Sequence, residues 1–372
     1  MIRAGGVAAG IKASGAPDLA LIDMGRVVPC AAVFTGSQAA AAPVVVSRAV
    51  ASRGQARAVV INSGCANAGT GSIGMANAKR MQQAAAKALG CGDGEVLVCS
   101  TGPIGPQLPI AEIETALSAM DLGVDGWVDA AEAIRTTDTF AKVARRTFGD
   151  LVVQGMAKGA AMIRPDMATM LAVLTTNADI DSSDLDACLR EAVTPSFNSL
   201  NIDGCQSTND TVIAFATSEA GGDLTVVRRL MAEVCMELAV MIARDGEETN
   251  RVVHLTVVGA TTNDSARRIG RAMTDSDLVR SSFYGGDPNW GRLLQAAAVS
   301  EVTIDPQAFA VSYQGVAVAK DGCQVEYDPA AVRLLLRHDF GIEVRVGWGP
   351  GTATIITTDL TPGYVEFNGA PS

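Results

Sequence analysis

Short apolar runs, rich in Val and Ile and bounded by Gly, Asp or Asn, recur along the whole chain. They fall at 18–24, 30–34, 57–62, 95–100, 150–156, 170–176, 211–217, 252–259, 342–349 and 353–359. Their length and β-branched content predict strands. Between them the apolar period becomes helical, at 74–89, 110–120, 126–135, 184–193, 223–244, 264–273 and 328–337. The segment 223–244 is the clearest. Val227, Leu230, Met231, Val234, Leu238, Met241 and Ile242 share one face, while Arg229, Glu233 and Glu237 line the other at i,i+4 spacing. Strands interleaved with helices give the α/β class. No repeat or low-complexity linker divides the chain, and composition marks no domain boundary; one near residue 200 or beyond fits the pattern.

Composition narrows the class. Of 372 residues, 48% are apolar and 19% charged, enough for a large core. Aromatics are only 4%, so that core is built from Ala, Val, Leu, Ile and Met. A net charge of −11 repels phosphate backbones and argues against a nucleic-acid partner. No apolar stretch approaches the roughly 18 residues of a membrane span. The N-terminal small-residue run is broken by Lys12, Pro17 and Asp18, so it does not read as a secretory signal. The eight cysteines are scattered without a Cys-x-x-Cys pair, which suits reduced core thiols and a cytoplasmic protein rather than a metal site.

Histidine is scarce. His254 lies in an alternating, strand-like run and His338 ends an apolar helical one, so both read as structural. A Ser-His triad or a zinc centre needs more than this. Acyl-transfer chemistry in this chain would need another base.

Three motifs bear on that question. Gly69-Thr70-Gly71-Ser72-Ile73-Gly74 matches a dinucleotide fingerprint, but the loop NSGCANA separates it from the preceding strand and no acidic residue closes the next. It reads as a Gly-rich loop entering a helix. Cys99-Ser100-Thr101-Gly102 ends a strand with a hydroxyl and exposed N–H groups, suitable for an oxyanion. The stretch 155–176, GMAKGAAMIRPDMATMLAVLTT, places Thr169 at the start of an apolar strand. Were the chain cut before Thr169, the new α-amino group, with a pKa of about 7.7–8.0, could take the hydroxyl proton. Threonine would then be nucleophile and base at once. Asn209-Asp210, Arg244-Asp245-Gly246-Glu247 and the run Gly286–Arg292 read alone as turns or caps.

Together these segments resemble the ornithine acetyltransferase, or glutamate N-acetyltransferase, family. The match runs from RAGGVAAGIK through INSGCANAGTG, CSTGPIG, IRTTDT, GMAKGAAMIRPDMATML, FNSLNIDGCQSTNDT, ARDGE and FYGGDPNWGR to DLTPGYVEFN. The resemblance implies an α/β fold, an N-terminal-nucleophile-like sandwich of the aminopeptidase and ornithine acetyltransferase type. It implies self-cleavage between Ala168 and Thr169 into an α chain, 1–168, and a β chain, 169–372. Two of each would form a heterotetramer. Thr169 matches the nucleophile, and Thr101 and Gly102 the oxyanion hole. Thr139, Lys158, Thr169, Glu247 and Asn368 match substrate-binding positions, with Ser372 a further candidate.

The implied reaction moves acetyl from N2-acetylornithine to glutamate through an acetyl-Thr169 ester, in arginine biosynthesis. It needs no cofactor and no metal, and its partners are amino-acid substrates. Acetyl-CoA is an open second donor. A same-family transferase working on another N-acyl amino acid, and an amide hydrolase of the same fold, are the alternatives. The chain departs from the family pattern around this machinery. Cys65 stands where Asn is usual and Gly69 where Cys is usual. Arg164 and Asp166 replace a small residue and an Asn, Cys205-Gln206 replaces Asp-Thr, and Glu248-Thr249-Asn250 replaces Gly-Ala-Thr. The tail after Asn368 reads Gly-Ala-Pro-Ser, one residue short.

Overall fold

The computed structural model describes residues 1–164 and 170–369. They divide into two compact units, each discontinuous in sequence. The first takes in 1–159, 170–198 and 206–242, and the second 160–164, 199–205 and 243–369.

The first unit is built on one mixed sheet. Its strands are β1 (Arg3–Val7), β2 (Leu19–Phe34), β3 (Gln55–Ser63), β4 (Val96–Thr101), β5 (Lys142–Phe148), β6 (Leu151–Lys158) and β7 (Leu171–Ala178). After the short β8 (Leu200–Asn201), which belongs to the second unit, comes β9 (Thr211–Ala220). The order is β4-β3-β2-β9-β7-β6-β5, with β1 beside β2. The pairs β3–β4 and β7–β9 are parallel and the others antiparallel.

Both faces of this sheet are covered, which explains the unbroken apolar run of β3. Val59 and Ile61 pack into one cluster with Ala130 and Ala133 of the helix Trp127–Ala133. Ala58 and Val60 pack into another with Met81 of the helix Gly71–Leu89 and Ile113 of the helix Ile110–Ala119. The pattern predicts two strands at 18–24 and 30–34. They are the two halves of β2, which shifts register between Asp23 and Val28 on β3 and then pairs with β9 from Cys30 to Phe34. The predicted helix 223–244 is Leu224–Arg244, and its polar face receives Arg146 of β5 at Glu233 and Glu237.

The second unit has its own sheet. Its strands are β8, β10 (Val252–Ala260), β11 (Ala310–Tyr313), β12 (Val316–Lys320), β13 (Cys323–Gln324), β14 (Phe340–Arg345) and β15 (Gly351–Thr358), in the order β13-β12-β11-β14-β10-β15-β8. Val253, Leu255 and Val257 alternate into a core with Ile269 and Met273 of the helix Asn263–Thr274 and Phe283 of the helix Asp277–Gly285. Phe283 and Phe340 meet edge to face, their centroids 5.8 Å apart. His254 lies in β10 and His338 follows the helix Pro329–Leu335. No described helix is long and apolar enough to cross a membrane.

Candidate active site

In the first unit the candidate residues gather at one end of β4 and β6. Apolar Val96–Cys99 holds β4 in the core, and the strand ends on half-buried Thr101. Gly102 follows at φ +139°, a conformation L side chains rarely adopt. A Cβ there would sit 2.4 Å from the Cys65 nitrogen. The closeness comes from a local staple: the Cys65 N–H donates to the Thr101 carbonyl and the Ala66 N–H to that of Pro103. Asn209 fastens the same corner. Its Nδ2 donates to the Ala66 carbonyl at 2.6 Å and the Ser100 carbonyl at 2.9 Å. The turn read at Asn209-Asp210 is thus a clamp on the backbone that carries Thr101 and Gly102.

Lys158 ends β6 and is nearly buried. Its Nζ donates to Thr136 Oγ1 at 2.6 Å and Thr101 Oγ1 at 3.3 Å. The Asp138 carboxylate is 3.9 Å away. That carboxylate is fully buried and accepts from Lys142 Nζ at 2.6 Å, the Gly159 N–H at 2.6 Å and the Thr136 N–H at 3.0 Å. Burial pushes the Asp138 carboxyl up, but the charges of Lys158 and Lys142 and the Gly159 N–H outweigh it, and the group is held well below the usual carboxylate range. Arg135 reaches the Asp138 carbonyl through Nε and Nη2 and pairs with Glu132. Lys12, on the loop between β1 and β2, feels the same cluster. Burial lowers its pKa, as do Arg135 and Lys158, against the opposing pull of Asp18 and Asp138.

Thr139 is exposed, and Thr136, first residue of the same TTDT run, joins Thr101 as a hydroxyl acceptor for Lys158. Thr136, Asp138 and Lys142 have no counterpart among the sequence candidates, and Asn209 figures there only as part of a turn. The Asp138–Lys142 spacing resembles an ordinary helix-surface pair, whereas here it joins a loop to the first residue of β5.

Ala168 and Thr169 lie outside the described residues, as does Ser372. The strand that follows Thr169 is well placed. Met170 accepts at its carbonyl from the Thr211 N–H, and Leu171 at the start of β7 lies in register with Lys158 on β6.

In the second unit Glu247 follows the helix Leu224–Arg244 in a turn. Its N–H donates to the Ala160 carbonyl, and its Oε2 accepts from Asn368 Nδ2 at 3.0 Å. Asn368 sits on the helix Pro362–Gly369. Glu248 has φ +55°, and its carboxylate lies beside Gly363, where a Cβ would meet Oε2 at 2.9 Å. The two neighbouring carboxylates therefore face different residues of that helix. Tyr364 on the same helix has its hydroxyl pushed up to about 12, mainly by burial and then by Asp203, Cys205 and Glu247, against the pull of Arg280.

The Gly69–Gly74 loop leads directly into the helix Gly71–Leu89. Thr70 Oγ1 donates to Asn67 Oδ1, and Asn67 Nδ2 to the Gly74 carbonyl, which ties the preceding loop to the first turn of the helix.

Comparison with known proteins adds a family. The model of the ArgJ family matches residues 3–371. The arginine biosynthesis bifunctional protein ArgJ of Thermobifida fusca is 42% identical over 375 residues, covering 100% of this chain and 97% of that protein. The protein of the same name from Mycolicibacterium paratuberculosis is 43% identical over 387 residues, covering 100% and 94%. The crystal structure of arginine biosynthesis bifunctional protein ArgJ from Bacillus halodurans matches with a TM-score of 0.52 at 28% identity, over 54% of this chain and 99% of that one. The fold class is thus the α/β sandwich expected from the sequence.

Proposed function

The chain belongs to the ArgJ family, and from that membership we propose that it transfers an acetyl group from N2-acetylornithine to glutamate in arginine biosynthesis. The observation that carries the reading is the meeting of the Thr101-Gly102 turn, the Lys158 ammonium and the start of β7 in one unit. It combines a turn whose Gly102 has φ +139°, a cation and the strand that follows Thr169.

Self-cleavage at Ala168-Thr169 would give an α chain, 1–168, and a β chain, 169–372, assembling in the cytoplasm as two of each. The free α-amino group of Thr169 then accepts its hydroxyl proton, and the oxygen attacks the acetyl carbonyl. Thr101 and Gly102 hold the tetrahedral oxyanion. The C–N bond breaks, the nitrogen takes the proton from the α-amino group, and ornithine leaves an acetyl ester on Thr169. The glutamate amine attacks that ester, its proton returns to Thr169, and N-acetylglutamate departs. Lys158 binds a substrate carboxylate, and Thr139 and Ser372 line the substrate. Glu247, oriented by Asn368, takes the terminal ammonium of ornithine. The ester carries the acetyl group, so no cofactor is required.

Wild-type protein incubated with N-acetylornithine and no acceptor should gain one acetyl mass on the fragment beginning at Thr169, while Thr169→Ala should stay whole and unlabelled. An intact wild-type chain with full activity would refute the reading. In the same assay, acetyl-CoA tests the second donor. Failure of both ornithine and glutamate, with another N-acyl amine reacting, would favour a transferase of different substrate.

A further inference from the structure

Lys12 is built into the wall of the Thr101-Gly102 turn. The buried Asp18 carboxylate gathers the loop after β1, accepting from the N–H groups of Ala9 at 2.6 Å, Ile11 at 2.7 Å and Lys12 at 2.9 Å. The Asp18 carbonyl accepts from the Ser63 N–H, so the same residue ties this loop to the end of β3, just before Gly64. Gly64 has φ +96°, and a Cβ there would meet Lys12 Cγ at 3.0 Å and Ile11 Cγ2 at 3.1 Å. Gly64 also packs on Gly102, where a Cβ would lie 3.0 Å from the Gly64 Cα. One glycine thus bridges the Lys12 stem and the turn proposed to hold the oxyanion. The half-buried Lys12 side chain keeps its head in place by donating from Nζ to the Pro17 carbonyl at 2.7 Å, which uses one of the N–H donors of an ammonium. Its charge is felt there: burial, Arg135 and Lys158 lower its pKa, against Asp18 and Asp138.

We infer that Lys12 is a specificity-determining residue for the acceptor, binding the side-chain carboxylate of glutamate. This rests on the proposed transfer to glutamate. The two amino acids of that reaction differ in charge. N-acetylornithine brings one carboxylate and a terminal ammonium, whereas glutamate brings two carboxylates. Lys158 is proposed for a carboxylate that both possess. Glu247, proposed for the ornithine ammonium, has the wrong sign for the second carboxylate of glutamate. A carboxylate leaving water is costly unless a cation meets it. Of the other cations in the cluster, Lys142 is wholly buried against Asp138, and Arg135 pairs with Glu132 and bonds the Asp138 carbonyl. Lys12 lies on a surface loop, its stem against the turn and its head half-exposed, where a substrate can reach it.

Double displacement lets the two halves be read apart. Single-turnover acetylation of Thr169 by N-acetylornithine reports the donor half. Discharge of the acetyl-enzyme to glutamate, and to glutamine as its uncharged isostere, reports the acceptor half. Wild type, Lys12→Met, Lys12→Gln and Lys12→Arg are compared, with thermal melts to establish folding. Lys12→Met should leave acetylation and its dependence on N-acetylornithine unchanged. It should lower the preference for glutamate over glutamine in kcat/KM roughly tenfold or more, mainly through KM for glutamate. Lys12→Arg should keep most of that preference. An equal loss with glutamate and glutamine marks a lysine that only holds its loop, and overturns the assignment. Weaker or slower acetylation by N-acetylornithine would put Lys12 on a carboxylate common to both substrates, or on the oxyanion, and overturns it as well. So does a wild type that does not prefer glutamate to glutamine. Should Lys12→Met not fold, Lys12→Gln decides on the same ratio. If wild-type acetyl-enzyme forms but glutamate does not discharge it, the transfer reading itself has failed, and the role of Lys12 falls with it.

Discussion

Gly102 shows how much one residue can carry. Its φ of +139° and the 2.4 Å gap to the Cys65 nitrogen leave no room for a Cβ. In Gly102→Ala the turn must shift, and with it the N–H that is proposed to meet the oxyanion. We expect single-turnover acetylation of Thr169 to slow by roughly a hundredfold or more, with the fold retained; wild-type acetylation kinetics would refute the role. Thr101 and Gly102 were legible in sequence because a strand running into Thr-Gly is a local pattern. Asn209 was not. Its acceptors at Ser100 and Ala66 lie 109 and 143 residues away in the chain, and only the paired strands bring them together. Lys142 was hidden for another reason: a lysine near an aspartate normally signals a solvated surface, and burial is what changes its meaning.

At the scale of elements, strands with both faces covered announced themselves, as β3 did. β5 did not, because KVARRTF is too polar to read as a strand. It forms through the hairpin with β6, whose turn uses Gly149 at φ +56°. The helix Pro362–Gly369 was also unforeseen. None of its residues is fully buried and only Gly363 and Tyr364 are half-buried, so it leans on its ends. Thr361 Oγ1 accepts from the Tyr364 N–H and donates to the Glu248 carbonyl, capping the helix and tying it to the turn beside Glu247. Thr361→Val removes both bonds. A lost cap is worth about 0.5–2 kcal/mol, so limited proteolysis within 362–369 should accelerate while cleavage elsewhere does not. An unchanged digestion pattern would show that other contacts hold the helix.

Across the whole molecule the two units carry buried carboxyls shifted in opposite directions. In the first, Asp23 and Asp138 are held low. Burial raises each, but Arg57 and Arg3 outweigh it at Asp23, as Lys158 and Lys142 do at Asp138. A carboxyl with a depressed folded pKa adds stability above its unfolded value, about 3.9, and loses that contribution as pH falls toward the folded one. In the second unit burial raises Asp359. Its contribution is fully present below the unfolded value and is lost as pH rises through the folded one. Amide exchange followed from about pH 5 to pH 3 should therefore show β3, β6 and β7 losing protection before β10, β14 and β15. The reverse order would mean that other carboxyls dominate.

The place of β9 sets a schedule for biosynthesis. It lies between β2 and β7, yet it leaves the ribosome after both. Until it emerges, Cys30–Phe34 has no β9 partner and the Met170 carbonyl no Thr211 donor. The nascent first sheet thus exposes open strand edges, a hazard for misassembly that chaperones could cover. The segment following Thr169 gains its seat only when a later part of the chain has been made. Proposed self-cleavage would then be clocked by translation, with maturation waiting on β9 rather than on the synthesis of the scissile bond.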